Sequence, residues 1–126
     1  MFLMSFSALS AACIIDPLYR TANEYQRFVD ESDLVFLGKF DSGEIQNQET
    51  QLAKFTVIKT FKGNAEFGEK LIIKNMLGSS CSRAFYPEGT AFYVFASETE
   101  VGEFTIGRFA YFVPMSVAIE TDMGLK

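Results

Sequence analysis

Cys13 and Cys81 are the two cysteines of this 126-residue chain, which has no histidine. Without imidazole there is no Ser-His-Asp triad, no Cys-His dyad, no HExxH zinc site and no histidine general base. Two thiolates are too few for a zinc cage. Carboxylates are plentiful, but none stands in a motif with a partner. Glu98 and Glu100, one residue apart, read as sharing a solvent face near a turn. The chain therefore reads as a non-enzyme without a cofactor, and no catalytic residue is assigned. The chemistry left to the cysteines is pairing, which depends on where the protein resides.

Residues 1–12, MFLMSFSALSAA, are uncharged, mostly apolar and end in small residues just before Cys13. Ser10 and Ala12 sit where a signal peptidase wants small side chains. Twelve residues are too few to span a bilayer. The segment reads as a signal peptide lacking the usual positive start, or alternatively as a buried N-terminal strand or helix. Cleavage after Ala12 would leave Cys13 as the first residue of a single domain, 13–126, in a secreted or periplasmic (extracytoplasmic) protein. A lipoprotein reading ends at the same cysteine, with a lipid anchor on Cys13. It fits less well, since Ser10 stands three residues before the cysteine where Leu is usual. Export favours a Cys13–Cys81 disulfide, and a reducing compartment would leave two free buried thiols. The bridge would close a loop of about 69 residues and contribute about 4 kcal/mol in the chain-entropy picture.

Charge narrows the partners. Eleven basic against sixteen acidic residues leave a net charge of −5, and a general polyanion binder should be basic. Lysines 54, 59, 62, 70 and 74 do lie near Phe55, Phe61 and Phe67, the composition of a base-stacking platform. Glu66 and Glu69 interrupt them, and lysines alternating with apolar residues describe solvated strand faces. No nucleic acid is expected. The 14 phenylalanines are most simply core.

The elements that must position these residues follow from periodicity. Thr21 and Glu24 form a capping box, and Ala22, Tyr25, Phe28 and Val29 recur at helical spacing, which predicts a helix over 22–31. Residues 33–41, DLVFLGKFD, read as a strand with Leu34, Phe36 and Phe40 on one face and Val35 and Leu37 on the other. Gly38 inside it marks a bulge or a bend where a barrel closes. Polar residues 42–50 read as a hairpin loop. In 51–61, Ala53, Phe55, Val57 and Phe61 alternate with Lys54, Thr56, Ile58 and Thr60. A turn at 62–64 leads to a strand over 70–76. Residues 77–88 form a loop pinned by Cys81. Strands over 90–97 and 103–113 complete the chain, with a turn at Gly102 and a stop at Pro114. Five strands and one short helix predict an all-β fold, a small antiparallel barrel.

SDLVFLGKF at 32–40, FTVIKTFKG at 55–63 and GSSCSRAFYPEGTAFYVFA at 78–96, in this order behind Cys13, resemble the inhibitory domain of tissue inhibitors of metalloproteinases and its bacterial relatives in the netrin-like domain group. The resemblance spans nearly all of 13–126. It implies an OB-fold, a five-stranded Greek-key barrel. It also implies pairing of Cys13 with Cys81. A second family bridge is missing at both ends, since Ile15 holds one position and Ile106 or Gly107 the other.

The resemblance further implies a function. A metalloprotease zinc keeps one coordination position open. In the family, the α-amine and carbonyl of the N-terminal cysteine occupy it. Cys13 would do so here through backbone groups, with no metal site of its own. An α-amine with a pKa of about 7.7–8.0 is partly neutral near pH 7, and metal binding favours that form. Ile14 would enter the protease's primed-side pocket, and Ser79, Ser80 and Ser82 would form a second contact beside it. The expected function is thus metalloprotease inhibition. The alternative is a non-inhibitory OB-fold binding or structural module of the cell envelope, because a fold does not dictate a function.

Overall fold

The computed structural model describes residues 22–78, 83–106 and 112–115, with side chains from residue 25 onward. Helix α1 runs Ala22–Glu31, and six strands follow: β1 Leu34–Gln46, β2 Thr50–Lys62, β3 Lys70–Met76, β4 Ala91–Glu100, β5 Glu103–Ile106 and β6 Phe112–Pro114. The sheet runs β1-β2-β3-β5-β4-β6, and β1 also pairs with β4, which closes a five-stranded barrel with β6 as an extra edge. This is the expected all-β, OB-fold-like architecture. One expectation changes, because β3 and β5 are parallel. A closed ring with an odd number of strands cannot alternate direction at every step, so one pair must be parallel.

The helix ends where the sequence places it, and the structure shows what ends it. Ser32 Oγ donates to Phe28 O at 2.6 Å, and Asp33 N donates to Ala96 O at 2.9 Å, committing the chain to β1. Lys62 Nζ donates to Val29 O at 2.9 Å, so β2 supplies a cation to the carbonyls of the last helical turn. Residue Thr21 of the capping box lies outside the described residues.

Strand alternation sorts the apolar residues into two clusters. Leu34, Phe36, Phe40, Ala53, Phe55, Val57, Ile73, Phe92, Val94, Ala96, Ile106 and Phe112 fill the barrel interior. Tyr25, Phe28, Val35, Leu37, Tyr93, Phe95 and Val113 pack outside it, between α1 and the sheet. Strands β1 and β4 are covered on both faces, which is why FYVFA at 92–96 reads as an unbroken apolar run. Tyr25 stacks on Phe95 at 6.2 Å, and Phe28 meets the same ring edge-on at 6.0 Å.

The structure corrects four sequence expectations, the first through a bulge. At the Leu37–Gly38 step, β2 advances from Lys59 to Val57, leaving Ile58 as an extra residue. The alternation of β2 inverts there. Phe61, expected with Ala53, Phe55 and Val57, instead lies on the outer face against Tyr93 at 6.1 Å. Gly38 does mark the closure: a Cβ there would stand 2.5 Å from the Phe36 ring and 3.2 Å from Phe55. The loop expected over 42–50 shrinks to a three-residue turn, Asn47–Glu49, with Asn47 and Gln48 at φ 38° and 64° and Glu49 N bonded to Gln46 O. Residues 43–46 are exposed strand, so their polarity reflects solvent and not a loop. The last strand, expected over 103–113, is described as β5 and β6, with 107–111 outside the described residues. Pro114, expected as a stop, sits in register opposite Phe92, tolerated because β6 is an edge. Among the described residues no helix is long and apolar enough to cross a membrane.

Candidate functional site

Cys13, Ile14, Ser79, Ser80, Cys81 and Ser82, and with them the Cys13–Cys81 bridge and the leader at 1–12, lie outside the described residues. The structure does describe the two ends between which Ser79–Ser82 hang, Gly78 and Arg83. Both belong to one end of the barrel, where the β1–β2 turn, the end of β3 and the 77–90 connection meet.

Each flank of the segment is fixed by a different device. On the near side, Leu77 N donates to Glu49 O at 2.6 Å, which ties the end of β3 to the β1–β2 turn. On the far side, Phe85 N donates to Gln51 Oε1 at 2.7 Å, and Gln51 Nε2 donates back to Phe85 O at 3.2 Å. Asn75 Nδ2 donates to Arg83 O at 2.8 Å and to Gln51 Oε1 at 3.2 Å. Gln51 is 4% exposed and Asn75 0%, so these bonds are made away from water, where an unmade one is expensive. The loop further contributes Phe85 to the interior. Its ring lies 4.8 Å from Phe55, 5.1 Å from Phe92 and 4.0 Å from Phe112. Arg83 completes the attachment, with Nη2 donating to Phe112 O at 3.2 Å and the guanidinium 5.0 Å above the Phe112 ring.

The sequence assigned the pinning of this loop to Cys81. The described residues reveal a second anchor built from Gln51, Asn75, Arg83 and Phe85, none of which the sequence reading singled out. A signal was available. Gln51 and Asn75 occupy the inward positions of β2 and β3, in step with Ala53 and Phe55 and with Ile73, where alternation asks for apolar residues.

Beyond Phe85 the chain turns outward. Tyr86 is 81% exposed and precedes a cis peptide bond to Pro87. Gly89 N donates to Phe40 O at 2.7 Å and returns the chain to the barrel. The described part of this edge therefore offers backbone hydrogen-bonding groups, an exposed phenol ring and the Arg83 cation.

The opposite barrel end is different. A cavity of about 270 Å³ has Leu34, Leu71 and Phe104 among its apolar walls and the carboxylates of Asp33, Glu69 and Glu98 at its rim. Each carboxylate already accepts from a backbone amide: Asp33 from Glu98 N at 2.7 Å, Glu98 from Gly102 N at 2.9 Å and Glu69 from Glu66 N at 2.9 Å. They cap turns. Among the described residues no cluster of acidic or sulfur ligands is placed to hold a metal ion.

Among the described residues, the acid whose pKa is perturbed is elsewhere again. Asp41 is the extra residue of a bulge in β1 and accepts from Thr56 Oγ1 at 2.6 Å. Lys39 and Lys70 stand 3.6 and 3.7 Å from its oxygens. The threonine hydrogen bond first, then the two lysines, hold its carboxyl below the ordinary 3.8 against the opposing effect of burial. Of the lysines and aromatics of 54–74, Lys62 caps the helix, Phe55 lies inside the barrel, Lys59 stands 5.1 Å over the Phe61 ring and Phe67 is exposed.

No family model and no curated protein sequence matches this chain.

Proposed function

We propose that this protein is an exported inhibitor of a zinc metalloprotease. In this reading the signal peptide is removed after Ala12. Cys13, joined to Cys81, then presents its α-amine and carbonyl to the protease zinc. Ile14 occupies the adjacent primed-side pocket, and Ser79, Ser80 and Ser82 form the second contact. Two chain segments would thus make one ridge.

The observation that carries the reading is the double anchoring of Leu77 and of Arg83–Phe85 around the Ser79–Ser82 segment. A contact loop held by its own barrel loses little freedom when it docks, and that ordering cost is a main opponent of affinity. The OB-fold-like barrel supplies the rigid base. The resemblance over 78–96 supplies the target class, a metal with an open coordination position.

The test is inhibition. The chain beginning at Cys13 is titrated against a panel of zinc proteases, alongside the same chain with its α-amine acetylated. Acetylation removes the amine lone pair and should weaken inhibition by at least about a hundredfold, the scale on which losing a metal-directed group acts. Equal inhibition by both forms would show that the amine is not a zinc ligand. Absence of inhibition across the panel would favour the non-inhibitory envelope module.

A further inference from the structure

The polar cluster beneath the edge is more elaborate than a stable core requires. Gln51 and Asn75 point into an interior otherwise made of Ala53, Phe55, Ile73 and Phe85. Apolar residues of similar shape would continue that interior without desolvating two amides. One atom makes the cost explicit: Asn75 Oδ1 is buried and accepts no hydrogen bond. A buried acceptor left unpaired opposes folding and calls for a reason other than stability.

The reason is legible in what the paired atoms hold. Both Asn75 Nδ2 protons are used, one on Gln51 Oε1 and one on Arg83 O. Gln51 grips both backbone groups of Phe85. Among the described residues, the bonds of the two amides thus end on residues 83–85 or on each other. The pair converts a connection between β3 and β4 into a fixed object, with Tyr86 carried outward at its tip.

We infer that Gln51 and Asn75 are positioning residues for the docking edge: they hold Arg83–Phe85, and through them Tyr86, in the geometry a partner meets. The inference deepens the inhibitor reading and rests on it for the identity of the partner. They act through the loop and touch no zinc.

The test uses the chain beginning at Cys13, with Gln51→Leu/Asn75→Leu in place of the two amides, and reads inhibition and backbone hydrogen exchange together. The expected result is inhibition weakened about tenfold or more, as ordering of the loop is shifted to the moment of binding. The remaining inhibition stays sensitive to acetylation of the amine, since chelation is untouched. Exchange accelerates at Phe85, whose amide loses its acceptor, while Leu77, tied to Glu49 O, and the amides of β1 and β4 stay protected. Equal inhibition by the variant, or exchange rising evenly through the barrel, would overturn the positioning role. If the unsubstituted chain inhibits no protease, the inhibitor reading falls by itself. Exchange then decides this inference: acceleration confined to the edge upholds the clamp, and unchanged exchange removes it. Should the double variant not fold, Asn75→Leu alone frees Arg83 O and deletes the unpaired acceptor. It should weaken inhibition severalfold with no loss of thermal stability, and a variant indistinguishable from the parent in inhibition would again overturn the role.

Discussion

The two apolar clusters are built from adjacent residues of the same strands, yet they do different work. The inner one takes Leu34, Phe36, Phe92 and Val94; the outer one takes Val35, Leu37, Tyr93 and Phe95. Through Phe85 and Phe112, the inner cluster reaches into the edge that carries residues 83–86. Among the described residues, the outer cluster meets the helix through Tyr25 and Phe28, and Phe61 of β2 and Val113 of β6 join it. Rigidity at the edge is thus a property of the barrel interior, and the helix side is a separate support for β1 and β4.

Substitutions can separate the two. Phe55→Ala removes the ring that meets Phe36, Phe40, Phe85 and Phe92. A closed barrel cannot collapse onto the gap, so denaturant unfolding should show a loss near the upper end of about 3–5 kcal/mol. Exchange at Phe85 should accelerate with it. Phe28→Ala opens a gap the helix can partly fill, and the loss should be nearer about 3 kcal/mol. Exchange at Phe85 in the native state should stay unchanged. If Phe28→Ala loosened the edge as much as Phe55→Ala does, the clusters would be one unit and the distinction would fail.

Gly38→Ala probes the seam between the clusters. The added methyl meets the Phe36 and Phe55 rings from the bulge that closes β1 on β2 and β4. Overpacking of this kind costs about 1–3 kcal/mol, read as a lowered melting temperature. Lys62→Met removes the cation from the carbonyls of Val29 and Asp30 and should cost less, about 0.3–1 kcal/mol, with the effect diminishing in salt.

Asp41 gives the smallest effect, and pH exposes it. Its folded-state pKa lies below the unfolded value, so it stabilises the barrel above the unfolded pKa. That contribution is lost as pH falls through the folded-state pKa. Asp41→Asn should therefore lower stability slightly at neutral pH and flatten the acid limb of a stability–pH curve. An unchanged acid limb would mean the lysines and Thr56 do not favour its ionised form.

The amino-acid sequence by itself determined the local elements. The helix over Ala22–Glu31, the strand over Lys70–Met76 and the inward and outward faces of 34–40 follow from spacing, because each depends on residues a few positions apart. The all-β barrel follows from strand number and the cover each strand needs. Tertiary structure decided the rest. Ile58 became a bulge and Phe61 changed face because β1 closes on two neighbours at once, a demand no stretch of β2 contains. Polar residues 43–46 became strand because β2 was there to pair with them. Phe85 left its loop for the core, and Gln51 met it across 34 positions of chain. Alternation says which way a side chain faces; only the folded barrel says which distant backbone is waiting there.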